Sequence, residues 1–279
     1  MNSKMSKKSL VVEHLKRAQM LDVLTKGVRL DGRGLLDYRP ITIETGIIEK
    51  ANGSAKVRIG NTEVIAGVKV QTGAPFEDTP DQGLLIVTAE VLPLASAYAE
   101  PGPPNEDAIE LARVADRGIR ESGVVDLKEL CLVKGKNVLA VFIDVSVLNV
   151  DGNLFDAVSY AAVAALLSST MPKYEVTAEG VKDTGKTIPL PVKLTPISIT
   201  MVLIGNTIIV DPTLDEESVM TARITIASAD KNTICAGQKG NPGGFTEEQV
   251  MLAIDTAISK GEEIRKMLKK GVGHGKKQK

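Results

Sequence analysis

The sequence contains no tryptophan and only four phenylalanines and four tyrosines. Its core must therefore be built from Val, Ile, Leu and Ala, which dominate an apolar content of 43%. The same scarcity argues against a stacking platform of the kind that single-strand binding modules use. Cysteine is nearly absent. Cys131 and Cys235 are too few and too far apart for a disulfide framework or a zinc site, and both are expected to be buried thiols in strand-like surroundings. There are two histidines, His14 on an N-terminal helix and His274 in a Gly/Lys tail. That argues against a Ser-His-Asp triad, a Cys-His pair or a His-rich metal site, so any chemistry would fall to carboxylates. No stretch reaches the ~18 apolar residues of a membrane span. The Lys-rich, amphipathic N-terminus does not read as a signal peptide. The expectation is a cytoplasmic protein with no membrane partner. The formal charge of −1 argues against a general polyanion-coating role, so any contact with nucleic acid should be local.

Against that neutral background, Arg113, Arg117 and Arg120 stand out. Spacings of four and three project all three from one side of a predicted helix. Like charges one turn apart repel by roughly 0.2–0.5 kcal/mol, so the row is unfavourable unless an anion lies opposite, and the planar guanidinium fork suits phosphate oxygens. A solvated face, with Glu110 paired to Arg113 and Asp116 to Arg120, accounts for the row equally well.

The pattern along the chain predicts an N-terminal amphipathic helix within residues 1–26, with Val11, Leu15, Ala18, Leu21 and Leu24 on one side. Residues 27–170 form a first unit. Alternating strands 55–59 and 62–70 meet at a Gly60-Asn61 hairpin, and 84–92 is a further strand. Asn105 caps the arginine helix, with Glu106 and Asp107 in its first turn and Ala108, Ala112, Ala115 and Ile119 as its buried stripe. A β-branched strand at 137–150 precedes a helix at 155–167 that is apolar nearly all round and so should be buried on most sides. Residues 171–195, rich in proline and with an Asp183-Thr184-Gly185-Lys186 turn, connect to a second unit at 196–270. There Ile59-Gly60-Asn61-Thr62 recurs as Ile204-Gly205-Asn206-Thr207 between alternating runs, which points to an internal duplication. A last helix at about 247–270 starts with capping-box spacing at Thr246 and Gln249. The basic tail 271–279 should be disordered. Strands followed by helices, twice, indicate an α+β fold of two related β/α subdomains.

Three further stretches could carry chemistry. The run from Gly237 to Gly244 lacks the Gly-Lys-Ser/Thr ending of a phosphate loop and reads as a flexible connection. Asp211 ends a strand and is followed by Asp215, Glu216 and Glu217. Such a cluster can hold Mg²⁺ or act as acid and base, and is also common in solvated turns. Asp151-Gly152-Asn153 precedes a helix and could point backbone N–H groups at an anion.

Four segments together resemble the opening of RNase PH-type phosphorolytic exoribonucleases: Arg29-Leu30-Asp31-Gly32-Arg33, Asp37-Tyr38-Arg39-Pro40, Gly53-Ser54-Ala55 and Gly60-Asn61-Thr62. The runs from Glu100 to Glu106 and from Ile109 to Arg117 resemble more narrowly the non-catalytic RNase PH-type subunit of the archaeal exosome. The resemblance covers about residues 10–270. It implies a fold of two RNase PH-type halves and a catalytic RNase PH-type partner, three heterodimers closing a six-membered ring. Single-stranded RNA would thread the ring, be cut from its 3′ end by inorganic phosphate, and meet RNA-binding cap proteins on one face. It implies no cofactor and no metal for this chain. It places Arg113 and Arg117 on RNA phosphates near the partner's active site, with Arg120 secondary. Active members carry Gly, then Ser or Thr, then Arg where this chain has Gly152-Asn153-Leu154, and two aspartates six apart where it has Asp211 and Glu217. Arg223 stands where a further acid is typical. The resemblance thus leaves this chain a degenerate carboxylate site and no catalytic residues. Two alternatives are an independently active phosphate-dependent 3′-to-5′ exoribonuclease, and a small-molecule enzyme using Asp211 and Glu217 with Mg²⁺.

Overall fold

The computed structural model describes residues 17–275 apart from 98, 100, 178 and 179. Residues 9–16 of the expected N-terminal helix and 276–279 of the tail lie outside the described residues. In chain order the elements are α1 (17–24), β1 (Ile41–Thr45), β2 (Gly53–Ile59), β3 (Thr62–Gly73), β4 (Leu84–Val91), α2 (Glu106–Glu121), β5 (Cys131–Val133), β6 (Asn137–Asn149), α3 (Leu154–Ser168), β7 (Thr170–Thr177), β8 (Gly180–Pro189), β9 (Ile197–Ile204), β10 (Thr207–Val210), α4 (Leu214–Val219), β11 (Ala222–Ser228), β12 (Ile234–Gly240) and α5 (Glu247–Gly275).

Two sheets sandwich a helical layer. The first runs β1-β2-β3-β6-β4, with β5 also on β6, and the second runs β10-β9-β11-β12. All pairs are antiparallel except β4 with β6. Between the sheets, α3 packs on β2 and β3 from one side and on β9 from the other. α2 lies against β4 and β12, and α5 against β1, β9 and β11. The apolar sequence of α3 fits this position, because residues from Ala157 to Leu166 are buried on every side. Its alanines let the strands come close. A Cβ at Gly53 of β2 would lie 2.6 Å from the Ala165 carbonyl oxygen, so only glycine fits there. Each fully buried Leu, Ile or Val in this layer contributes about 1.5–3 kcal/mol of transfer free energy. Aliphatic residues therefore fill the core with little aromatic help.

Local signals in the sequence explain the element ends. Asn105 Oδ1 accepts from the Ala108 amide at 2.9 Å. Thr246 and Gln249 cap α5 reciprocally, at 2.9 and 3.2 Å. Gly60 (φ 59°) and Gly205 (φ 64°) take the first loop position of their hairpins, where a II′ turn needs glycine. The two hairpins match, but the strand order around them does not. In the first sheet the second hairpin strand, β3, pairs onward to β6. In the second sheet the first hairpin strand, β9, pairs onward to β11.

Several expectations need correction. Residues 171–195 are not a plain connection: β7 and β8 form a separate two-stranded hairpin. The Asp183–Lys186 turn lies inside β8 as a bulge opposite Pro172–Tyr174, held by Thr184 Oγ1 donating to the Lys173 carbonyl at 2.7 Å. The helix α5 does not stop at 270 but runs to Gly275, so residues 271–275 are helical. The stretch from Gly237 to Gly240 is strand, not flexible connection. Both cysteines are half-buried rather than buried. On α1, Met20 and Leu24 are the buried anchors, against Val202, Ile204, Ile209 and Val219, while Ala18 is exposed.

A buried ion cluster joins the two halves. Segment 28–40 crosses to the second sheet, where the Val210 amide donates to the Leu35 carbonyl at 3.0 Å. Arg29, 2% exposed, forms a bidentate pair with Glu216 and donates to the carbonyls of Val210 (2.7 Å) and Asp211 (2.8 Å). Asp211 is fully buried. Its carboxylate accepts from Arg33 Nη1 at 2.8 Å, from the Arg39 amide, Nε and Nη2 at 2.8, 2.9 and 2.8 Å, and from Asn153 Nδ2 at 2.8 Å. Burial by itself would raise the Asp211 carboxyl, but the bonds and charge of Arg39, with Asn153, outweigh it and hold the group below its ordinary 3.8.

Removing one partner of such a cluster strands the other charges in a dry interior, which typically costs about 3–5 kcal/mol. Asp211→Ala should therefore lower unfolding free energy by about that amount in urea titrations of the isolated chain; a loss below ~1 kcal/mol would show that the cluster does not hold the halves together. Because the folded value lies below the unfolded one, this stabilisation is present above pH 3.8 and lost as pH falls further.

Candidate nucleic-acid interface

Helix α2 buries Ala108, Leu111, Ala115, Gly118 and Ile119, so its opposite side faces solvent and carries the arginine row. The three arginines part company there. Arg113 and Arg117 are exposed and line one open groove of about 370 Å³ together with Ile109, Val114 and Gln238. Arg117 Nη1 reaches Gln238 Oε1 of β12 at 3.4 Å. Among the described residues neither Arg113 nor Arg117 has a salt-bridge partner. Arg120 instead closes on Asp116, at 3.1 and 2.7 Å, and on the Leu85 carbonyl at 2.7 Å. It borders a different groove, with Asp126 and Lys193. Hydrogen bonding to Asp116 raises the Arg120 guanidinium above its ordinary value. The expected Asp116–Arg120 pair therefore forms.

The expected Glu110–Arg113 pair does not. Glu110 pairs with Arg223 of β11 at 2.6 Å, and the Arg223 guanidinium lies 3.9 Å from the centre of the Phe155 ring on α3. Arg223 thereby takes the carboxylate that would have neutralised Arg113. Sequence spacing could not reveal this, because the two partners are far apart along the chain and meet only through the packing of α2 against the second sheet.

The carboxylates gather around the start of α3. Gly152 (φ 84°) and Asn153 (φ 54°) turn the chain in the left-handed region. A Cβ on Gly152 would lie 2.5 Å from the Pro212 carbonyl oxygen and 2.6 Å from the Leu214 amide. Glycine alone thus lets the start of α3 dock on the start of α4. Asn153 makes two bonds across that contact and one within the first turn of α3. Its amide donates to Glu217 Oε1 at 2.8 Å, and its Nδ2 donates to Asp211 Oδ1 at 2.8 Å and Asp156 Oδ2 at 3.0 Å. The structure brings Asp211 and Glu217 together on Asn153, but neither is an open ligand. Asp211 is saturated by arginine, and Glu217 occupies the backbone N–H. Desolvation pushes the Glu217 carboxyl up to about 7, against the Asn153 amide and the charges of Arg223 and Arg39, which lower it. Buried Asp156, pushed up to about 6 by burial, accepts from Tyr38 Oη at 2.6 Å. Of the other acids near Asp211, Glu216 belongs to the Arg29 pair and to the capping box of α4 with Thr213, and Asp215 is exposed in its first turn. Among the described residues no group of three or more His, Cys, Asp or Glu is placed to hold a metal ion.

Sequence reasoning singled out the Asp151-Gly152-Asn153 turn as a place where backbone N–H groups could meet an anion, and the Asn153 amide does donate to a carboxyl, that of Glu217; it missed Gln238 as a groove wall, the side-chain bonds of Asn153 and the acceptor role of Glu217. It used Arg29, Arg33 and Arg39 only as a pattern, without their partners. No described helix is long and apolar enough to cross a membrane.

Comparison with known proteins matches this geometry to a family. Residues 37–172 match domain 1 of the 3′ exoribonuclease family, and residues 195–260 match its domain 2. The exosome complex component Rrp42 of Thermococcus gammatolerans is 52% identical over 269 residues, covering 94% of this chain and 97% of that one. That of Methanosarcina mazei is 46% identical over 268 residues, covering 96% and 98%. Among solved structures, a chain of the Archaeoglobus fulgidus exosome with RNA bound to the active site superposes with a TM-score of 0.84 at 41% identity, over 92% of this chain and 99% of that one. A chain of an archaeal exosome core gives 0.82 at 39%, over 93% and 98%. Family matches over both halves, and relatives about half identical along nearly the full length, make this chain a member of the RNase PH family of 3′ exoribonucleases.

Proposed function

We propose that this chain is a non-catalytic ring subunit of an RNA-degrading exosome of the archaeal type. In this reading it pairs with a catalytic RNase PH-type subunit, three such pairs close the ring, and RNA-binding cap proteins cover one face. Its own task is to hold RNA phosphates with Arg113 and Arg117 while the partner performs 3′-to-5′ phosphorolysis. Arg120, held by Asp116 and Leu85, contributes at most at the edge. The setting would be cytoplasmic.

One observation carries the non-catalytic part. The backbone N–H that opens α3, where the active members of the resemblance grip phosphate, is bonded to the chain's own Glu217. A helix N-terminus favours an anion, and here a carboxyl of the same chain takes that place. No hydroxyl or guanidinium follows, since Asn153 and Leu154 stand there. The neighbouring acid, Asp211, is locked by Arg33 and Arg39 and has no oxygen left for a proton transfer.

The RNA-holding part rests on the unpaired arginines. Two exposed guanidinium groups one helical turn apart repel each other until an anion arrives, and a phosphate in a bidentate fork relieves that. The names of the relatives, exosome components and a complex with RNA bound, agree with such a partner and such a ligand.

Three outcomes are expected. The purified chain, incubated with RNA and inorganic phosphate, should release no nucleoside diphosphate; release by the chain alone would establish the independently active alternative. In the assembled ring, Arg113→Glu with Arg117→Glu should slow RNA degradation at least tenfold, about 1.4 kcal/mol, with the ring mass unchanged. Unchanged degradation at physiological salt would remove the arginines from RNA contact. Glu217 supplies a pH signature. Its folded value of about 7 lies above its ordinary 4.5, so its contribution to stability is full below pH 4.5 and is lost as pH rises to 7. Glu217→Gln, which keeps an acceptor for the Asn153 amide, should flatten the decline of the urea midpoint between pH 5 and 7.5. An identical decline in both proteins would show that the Glu217 carboxyl is not desolvated at this site.

A further inference from the structure

The groove beside α2 has more in it than positive charge. Along α2, Arg113 and Arg117 stand at one end and Glu106 at the other, while Glu110 on the same wall is turned to Arg223. Between them Ile109, a large apolar side chain, is 49% exposed on the outer face of an otherwise well-packed helix. The far wall is Gln238 of β12. The Gln238 amide is only loosely engaged. Oε1 is 3.4 Å from Arg117, and Nε2 is 3.5 Å from the Lys239 carbonyl, both at the outer limit of hydrogen bonding. The groove volume of about 370 Å³ is at the small end of ligand sites, about 300–1,000 Å³.

These features fit one unit of the polymer better than a bare phosphate. A phosphate alone needs only the cationic end. An acidic end repels a second phosphate and accepts from hydroxyl or amino groups. An exposed isoleucine between the two has no electrostatic purpose, but gives an apolar surface of the kind a ribose or base face covers. The chain has few aromatic residues, and none lines this groove, so the contact is aliphatic and tolerant of base identity. Glutamine, with donor and acceptor on one group, suits a 2′-hydroxyl or a base edge.

We propose that this groove seats a single ribonucleotide of the RNA strand, with its phosphate on Arg113 and Arg117, its sugar and base against Ile109, and a hydrogen bond from the sugar or base to Gln238. The inference rests on the RNA-holding reading above and adds two contact residues to it. It gives the chain a part in distinguishing ribonucleotides, beyond electrostatic attraction.

The test is equilibrium binding of a fluorescent oligoribonucleotide, and of the same deoxyribonucleotide sequence, to the assembled ring across a salt series. Neutralising one phosphate-binding arginine should lower the log–log salt slope by about 0.7 per site, so Arg113→Gln and Arg117→Gln should each show that change. Ile109→Ser and Gln238→Ala should weaken RNA binding about fivefold with the slope unchanged, and Gln238→Ala should weaken DNA binding less than RNA binding. Ring mass for every variant guards against misassembly, and Gln238→Glu, which stays polar and extended, guards against damage to β12. If the arginine variants lower the slope while Ile109→Ser and Gln238→Ala bind RNA like the unaltered ring, the seat is overturned and the phosphate contact stands. If the arginine variants leave the slope unchanged, the underlying reading fails and the seat with it.

Discussion

Asp211 is the point at which the two halves of this molecule become one. A fully buried carboxylate is tolerable only when its bonds are complete, because desolvating an ion costs several kcal/mol that geometry must recover. Here Arg33 and Arg39 reach it from the segment before β1, and Asn153 reaches it from the turn before α3. Those three donors belong to the first half, and the acceptor directly follows β10 of the second. The bidentate Arg29–Glu216 pair adjoins it, since Arg29 also donates to the Asp211 carbonyl. Placement of α3, with its all-round apolar surface, therefore depends on a polar lock at the residue that precedes it, Asn153: the sheets bury the helix, and the ion cluster sets its position along them. Gly152 belongs to the same constraint, since a side chain there would collide with the backbone of α4.

The lock explains how a chain with formal charge −1 can still present a cationic surface. Charge is sorted by pairing. Arg29, Arg33, Arg39 and Arg223 are drawn inward or sideways to carboxylates, and Arg120 is held by Asp116. The decisive diversion is Glu110, the natural i+3 partner of Arg113, which turns to Arg223 instead. Arg223 can hold it because Phe155 supports the guanidinium face. What remains on α2 is a pair of arginines with no salt bridge among the described residues. An exposed ion pair would have been worth under about 1 kcal/mol. Its loss costs the fold little and leaves a good deal of binding capacity.

How much of this was legible in the sequence depended on range. Features set within a few residues were readable: the Asn105 cap, the Thr246–Gln249 box, the Gly-Asn hairpins and the buried character of α3 all follow from neighbouring side chains and appear as expected. The arginine row was readable for the same reason, because helical spacing is local. The failures are long-range. Asp211 reads as a possible metal or acid–base carboxylate until Arg39, 172 residues away, is placed on it. Glu217 reads as half of a carboxylate pair until the Asn153 amide is found donating to it. The hairpin at β7 and β8 was hidden because its prolines and its internal glycine suggested a connection, whereas Pro172 lies at an irregular pairing and Gly185 in a bulge. Gly237 and Gly240 misled similarly. They occupy an edge strand, where the missing side chains leave the backbone ladder intact.

The position of Glu217 ties these points together. A carboxyl placed on a helix N-terminus ordinarily gains from the exposed N–H groups and the helix dipole. Here that gain is outweighed by desolvation, which pushes the carboxyl up to about 7. One of its oxygens, Oε1, is taken by the Asn153 amide. The carboxyl thereby satisfies an amide that would otherwise need an external anion. Likewise, the arginines around Asp211 remove its basicity and keep its structural bond. The same two acids that could serve phosphorolysis in a different setting are thus converted, by the residues packed on them, into parts of the scaffold. On α2, Arg113 and Arg117 are left facing outward with no salt-bridge partner among the described residues. In the function proposed above, a chain that positions RNA beside a partner that cleaves it would use the charges that its own fold leaves unpaired.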